Sequence, residues 1–131
     1  MILVDSSAWI EFLRDTGSPA CEAVDALLAG GDRLATCDPV RMEVLAGARD
    51  EPHLRSLRGL LGRTELLAVR PADYDAAAAL YRGCRQRGGT VRRLIDCLVA
   101  AVAIRRDVAL LHADRDFDAL AAHSPLVVHR P

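Results

Sequence analysis

At 131 residues the chain has the length of one domain (1–131) with one hydrophobic core, and its 51% apolar content is ample to fill that core. All 17 basic residues are Arg, so mechanisms that need a lysine (a P-loop, a Schiff base, a lysine-held phosphoryl group) are excluded. The net charge of −1 supplies no global attraction to nucleic acid, so RNA binding would need a local patch and metal ions.

Taken in chain order, Ile2–Val4 reads as a short buried strand, and Ser6-Ser7-Ala8 opens a helix through Leu13. The opening MILVDSSAWIEF carries Asp5 and no basic residue before its apolar run, unlike a signal peptide. Ser18-Pro19 is an N-cap and first-turn pair for a helix ending near Gly30-Gly31. Leu34–Cys37 is a second strand, and Asp38-Pro39 repeats the cap signal for a helix toward Gly47. Leu54, Leu57, Leu60 and Leu61 lie at helical spacing between Pro52 and Leu61. Leu66–Val69 is a third strand. Pro71 to about Arg87 is an Ala-rich helix stopped by Gly88-Gly89, and Leu94–Arg105 is a nearly all-apolar helix. Val108–Leu111 is a fourth strand, Asp114 begins a short helix, and Leu126–Val128 closes as a fifth strand. Strands alternating with helices imply a mostly parallel sheet of four to five strands covered on both faces. No apolar stretch approaches the ~18 residues a membrane helix needs, so a soluble, cytoplasmic protein with no membrane partner is expected. Cys21, Cys37, Cys84 and Cys97 lack metal-site or disulfide spacing and read as reduced core residues.

In open α/β sheets, ligands bind beyond the carboxyl ends of the strands. Asp5 follows the first strand, and Asp114 lies just past the fourth with Asp116 and Asp118 beside it. Asp96 is the only charged residue of LIDCLVAAVAI, where an ionised carboxylate must be paired or bound to a metal. Arg92, four residues earlier, is one available partner for it. Glu43 sits among Val40, Met42, Val44 and Leu45, facing either the sheet or solvent. Carboxylates that converge on one cleft repel one another unless divalent cations lie between them, and hard oxygen donors favour Mg²⁺ or Mn²⁺ over zinc. Such ions support phosphodiester hydrolysis. The residues alone reach metal-dependent phosphoryl chemistry and do not name a substrate.

The same residues carry a family resemblance. ILVDSSAWIEFL, RMEVLAGAR, LIDCLVAAVAI and LLHADRDFDAL resemble, in order and spacing, the four motifs of PIN-domain ribonucleases, in particular the VapC toxins of bacterial toxin–antitoxin pairs. The resemblance spans essentially the whole chain and implies a three-layer α/β/α PIN-like domain. By motif match Asp5, Glu43, Asp96 and Asp114 take the acidic positions, with Asp116 as a fifth contributor and Ser7 as the hydroxyl beside the metal. Asp5, Asp96 and Asp114 are then expected to hold Mg²⁺, with Mn²⁺ as a substitute, while Glu43 orients or deprotonates the attacking water. Where the family has Thr or Ser two residues before the fourth acid, this chain has His112, which supports Asp114, binds metal or fills the strand end.

The resemblance further implies an endoribonuclease toxin that cuts structured RNA, often tRNA, and so inhibits translation. It implies a homodimer and a cognate VapB-type antitoxin that lays a helix in a hydrophobic groove. The amphipathic helices after Ser18 and Asp50 are candidates for that groove. Arg82, Arg85, Arg87, Arg92 and Arg93 bracket a flexible Gly88-Gly89-Thr90 and form a candidate phosphate-contacting patch, although a solvated helix end gives the same pattern. Trp9, Phe12, Tyr74, Tyr81 and Phe117 read mostly as core rather than as base-stacking platforms. Two rivals remain. A phosphatase with Asp5 as nucleophile would need an Asp where Ser7 stands and a lysine that is absent. A catalytically inactive PIN-fold module would bind RNA or a partner without cutting.

Overall fold

The computed structural model describes residues 1–130. Strands β1 (Ile2–Val4), β2 (Leu34–Cys37), β3 (Glu65–Leu67) and β4 (Ala109–Leu111) form a wholly parallel sheet in the order β3-β2-β1-β4. Val4 pairs with Leu111, so β1 and β4 end side by side, and the Asp5 amide extends the ladder by donating to the Leu111 carbonyl. This register places the residues that follow the two strands next to each other.

The expected fifth strand at Leu126–Val128 is only a single bridge, between Val128 and Leu110. In a parallel ladder alternate residues face alternate neighbours. Leu111 is committed to the β1 side, which leaves Leu110 as the residue of this short strand exchanging bonds with Val127 and His129.

Seven helices complete the described residues: α1 (Ser6–Leu13), α2 (Pro19–Ala29), α3 (Asp38–Ala46), α4 (Glu51–Leu61), α5 (Pro71–Gln86), α6 (Leu94–Arg106) and α7 (Arg115–Ala122). Helix α1 packs on α2 and α3, and α3 on α4; α5 packs on α6, with α7 against both. The result is a three-layer α/β/α arrangement. Ser18 caps α2 as expected, accepting from the Cys21 amide, and Asp50 caps α4, accepting from the His53 amide. Asp38 does not cap α3. It occupies the first helical position, Cys37 is the N-cap, and the Asp38 carboxylate accepts instead from the Val69 amide beyond β3. Pro39 alone supplies the start signal there.

Helix α6 runs through the interior, with every residue from Asp96 to Ala103 buried. Trp9 and Phe117 are buried and Phe12 and Tyr81 half-buried, while Tyr74 faces solvent. All four cysteines are free and buried; burial pushes the Cys37 thiol up to about 12 and the Cys97 thiol up to about 11, which makes both inert. The connection from α5 to α6 is not the flexible linker its glycines suggest. Gly88 turns the chain at φ +82°, and a Cβ on Gly89 would come within 2.5 Å of Cys84 Sγ and 2.9 Å of the His123 ring. The loop is therefore packed in place, and it delivers Arg92 and Arg93 to the start of α6.

One ion pair joins α5 to α6. Arg105 donates from Nε and Nη2 to the two oxygens of buried Asp73 at 2.8 and 2.9 Å, and Nη2 also reaches the Ala68 carbonyl. Asp73 additionally accepts from the Arg70 amide at 2.8 Å. The hydrogen bonds from Arg105, set against the opposing effect of burial, hold the Asp73 carboxyl below its ordinary value of 3.8. A carboxylate with a lowered folded-state pKa contributes stability that is present above its unfolded value and is lost as pH falls through the folded one. Asp73→Asn is therefore expected to cost about 2 kcal/mol at pH 7. Urea melts should show the gap between parent and variant closing as pH drops below about 4.

Candidate active site

The carboxyl ends of β1 and β4, the first turn of α6 and one face of α3 meet at a single cleft. Asp5 is both the residue after β1 and the N-cap of α1; its Oδ2 accepts from the Ser7 amide at 3.0 Å and from Ser7 Oγ at 2.6 Å. Ser7 Oγ accepts in turn from the Ala113 amide at 2.9 Å, tying the end of β1 to the segment after β4. Asp5 Oδ1 is buried and has no hydrogen-bond partner. Asp114 caps α7 by accepting from the Asp116 amide at 2.9 Å. One oxygen each from Asp96, Asp114 and Asp116 can be chosen so that all three lie within 4.8 Å of one another. Glu43 faces the cleft rather than open solvent: Ser6 Oγ donates to its Oε1 at 3.0 Å, and Arg93 Nη1 to its Oε2 at 3.3 Å.

Two arginines stand among these acids. Arg92 anchors on Asp116 through its backbone amide and Nε, both at 3.0 Å, and reaches Asp114 from Nη2 at 2.6 Å. Arg93 contacts both Asp96 oxygens, at 3.0 and 3.3 Å. The partner of Asp96 is thus Arg93 and not the Arg92 expected from helical spacing. Residues 92 and 93 precede α6, where the four-residue helical repeat does not apply.

His112 turns its Nδ1 toward its own strand end, accepting from the Asp114 amide at 3.0 Å; its ring lies 5.2 Å from Phe117, and its Nε2 is 3.4 Å from Asp118. That places it as a prop for the Asp114 backbone. The arginine patch divides. Arg82 and Arg85 flank Gln86 on the surface, with Arg85 5.6 Å over the Tyr81 ring, whereas Arg87 donates to the His123 carbonyl on another face. Arg92 and Arg93 belong to the acidic cleft itself. Ser6 is a site contact that the sequence reading missed, having taken it only as part of a helix opening. A hydroxyl directly after a strand-end Asp was the available signal.

The PIN domain family matches residues 2–123. The chain belongs to the PIN-domain family. It is 46% identical over 123 residues to Ribonuclease VapC11 of Mycobacterium tuberculosis, covering 92% of each protein. Among solved structures, the fold resembles VapBC2 from Rickettsia felis bound to a promoter DNA fragment (TM-score 0.75, 17% identity, 98% of each chain). It equally resembles Mycobacterium tuberculosis VapC20, described as a Sarcin-Ricin loop cleaving toxin (TM-score 0.74, 18% identity, 100% of each chain).

The donor set of this PIN domain fits a hard divalent cation. It offers carboxylate oxygens only, several within reach of one ion, and a buried Asp5 oxygen that no protein group satisfies. Without an ion the cluster is electrostatically strained. Burial, the facing Asp116 and the charge of Asp5 push the Asp96 carboxyl up to about 8 against the pull of Arg93. For Asp116, burial is outweighed by hydrogen bonds from Asp96 and Arg92, which hold its carboxyl below the ordinary value. Burial and the neighbouring acids therefore favour the neutral form of Asp96, while the donors around Asp116 favour its charged form. A carboxyl whose folded-state pKa is raised loses stability as pH rises from its unfolded value toward the folded one. In EDTA, Asp96→Asn is therefore expected to melt higher than the parent at pH 8, by about 1 kcal/mol or more, and to lose that advantage near pH 4. Added Mn²⁺ should raise the parent's Tm and leave that of the variant unchanged. A parent that is the more stable protein at pH 8 in EDTA would contradict this account of Asp96.

Proposed function

We propose that the protein is a divalent-metal-dependent endoribonuclease of the VapC toxin type. The observation that carries the proposal is the convergence of Asp5, Glu43, Asp96, Asp114 and Asp116 from separate elements onto one cleft with a buried, unpartnered carboxylate oxygen. The identity of 46% with a VapC ribonuclease supports the choice of RNA as substrate.

Asp5, Asp96 and Asp114 would hold Mg²⁺, or Mn²⁺ in its place, with Asp116 contributing beside them. When bound, such an ion lowers the pKa of a water and stabilises charge on the scissile phosphate. Glu43 lies at the more open side of the cleft, its side chain 21% exposed, and orients and deprotonates the attacking water. Ser7 fixes the Asp5 carboxylate through its 2.6 Å bond, and His112 positions the Asp114 backbone. Arg82 and Arg85, exposed on α5, suit the phosphates of an RNA strand.

Structured RNA is the substrate class, tRNA in particular, and its cleavage inhibits translation. The protein acts as a homodimer in the cytoplasm under control of a VapB-type antitoxin. A groove of about 370 Å³ bordered by Ile10 and Leu13 of α1, Val44 of α3 and Leu57 of α4 runs up to Glu43, and an amphipathic antitoxin helix fits it. Of the two helices considered from sequence, only α4 lines it; α2 packs behind α1 instead.

The test is cleavage of total cellular RNA by purified, antitoxin-free protein. Discrete fragments are expected with Mg²⁺ and none with EDTA. Asp5→Asn should cut at least about a hundredfold more slowly, and Ser7→Ala should fall between the two proteins. A well-folded protein that binds Mg²⁺ yet leaves all RNA intact would instead be a binding module.

A further inference from the structure

Arg93 occupies an unusual place for a surface arginine. Its guanidinium touches three of the site carboxylates at once: Asp96 at 3.0 and 3.3 Å, Glu43 at 3.3 Å and Asp114 at 3.6 Å. These belong to the acids that the proposed metal and water would use. A divalent ion binds carboxylate oxygens at roughly 2.0–2.6 Å, and two cations cannot share such a seat without strong repulsion.

The two neighbouring arginines are held differently. Arg92 is fastened to Asp116 by backbone and side chain together. Arg93 is fastened to Asp116 by its backbone amide alone, at 3.3 Å, and its side chain is held only by the site carboxylates while remaining 45% exposed. Its backbone can therefore stay in place while its side chain turns.

Building on the divalent-metal reading above, we propose that Arg93 is a displaceable counter-ion: without metal its guanidinium fills the cation seat, and metal entry releases it to grip an RNA phosphate. Metal and RNA binding are then positively coupled, because each removes Arg93 from the position that hinders the other, and the coupling is reciprocal.

The experiment is Mn²⁺ binding to the full chain, followed by the electron paramagnetic resonance signal of the free ion and by calorimetry. Arg93→Gln is expected to bind Mn²⁺ about tenfold more tightly than the parent in the absence of RNA. An RNA hairpin, its integrity checked on a gel after each titration, should tighten Mn²⁺ binding to the parent by a similar factor and leave Arg93→Gln unmoved. Arg93→Lys, which keeps the charge and loses the fork, should bind Mn²⁺ with an affinity between those of the parent and Arg93→Gln, and thermal melts of all three proteins guard against a folding defect. Parent binding with Arg93→Gln equal or weaker would overturn the role given to Arg93 and leave the ribonuclease proposal standing. Mn²⁺ binding by neither the parent nor Arg93→Gln, with Asp96→Asn as the reference for a lost site, would overturn both.

Discussion

The constraint on which the rest of this structure depends is the crowding of five carboxyl groups into one partly buried cleft. Like charges at such separations in a medium less polarisable than water repel by several kcal/mol, by order of magnitude. The protein relieves that repulsion in three ways. Arg92 and Arg93 supply positive charge, burial and neighbouring acids push Asp96 toward its neutral form, and backbone amides at the starts of α1 and α7 donate to Asp5 and Asp114. None of the three satisfies Asp5 Oδ1. That buried, unpartnered oxygen, on a carboxyl that burial raises above its ordinary value, is where the geometry fits a cation.

The fold meets this demand through short-range placement. Parallel pairing of β1 with β4 in the Val4–Leu111 register sets their carboxyl ends side by side, and the residues just beyond are Asp5 and, after a short turn, Asp114. Both acids are helix N-caps, so each carboxylate is fixed by the start of the following helix as well as by the strand before it. Asp96 arrives on α6, where burial begins at Asp96 itself and runs unbroken to Ala103. Glu43 is supplied by α3, which reaches α6 at this end of the sheet. Ser7 ties two of these contributions together with one hydroxyl, donating to Asp5 and accepting from Ala113. The placement of these acids therefore comes from strand ends, caps and the start of α6.

Much of this was legible in the sequence because it rests on local signals. Apolar runs marked the four strands, the Ser-Pro start marked α2, leucines at helical spacing marked α4, and a lone Asp in an apolar helix marked Asp96. What was not legible depended on contacts between distant segments. Asp38 looks like a cap, but Val69 across the sheet claims its carboxylate. Gly88-Gly89 looks like a hinge, but Cys84 and His123 press against it. Arg92 looks like the partner of Asp96 by spacing, yet the residues preceding α6 are not helical, so its neighbour Arg93 takes that role. Leu126–Val128 has strand composition, but the outer edge of β4 has room for a bridge and no ladder.

The absence of lysine bears on the site as well as on the excluded mechanisms. A guanidinium is planar, presents its donors in a fixed fork and stays charged at any physiological pH. Arg93 uses that shape to touch Asp96 from Nε and Nη2 and Glu43 from Nη1, while Arg92 bridges Asp116 and Asp114. A single ammonium could neutralise one carboxylate but could not span three in these directions. Delocalised charge is also weakly hydrated, so drawing it into the cleft costs less than drawing in an ammonium. It remains a poorer ligand for clustered oxygens than a compact divalent ion, whose charge is doubled and whose contacts are shorter. The cleft is thus neutral enough to fold around its arginines and still offers carboxylate oxygens that could hold a divalent ion. That intermediate state follows directly from pairing five acids with two guanidinium groups.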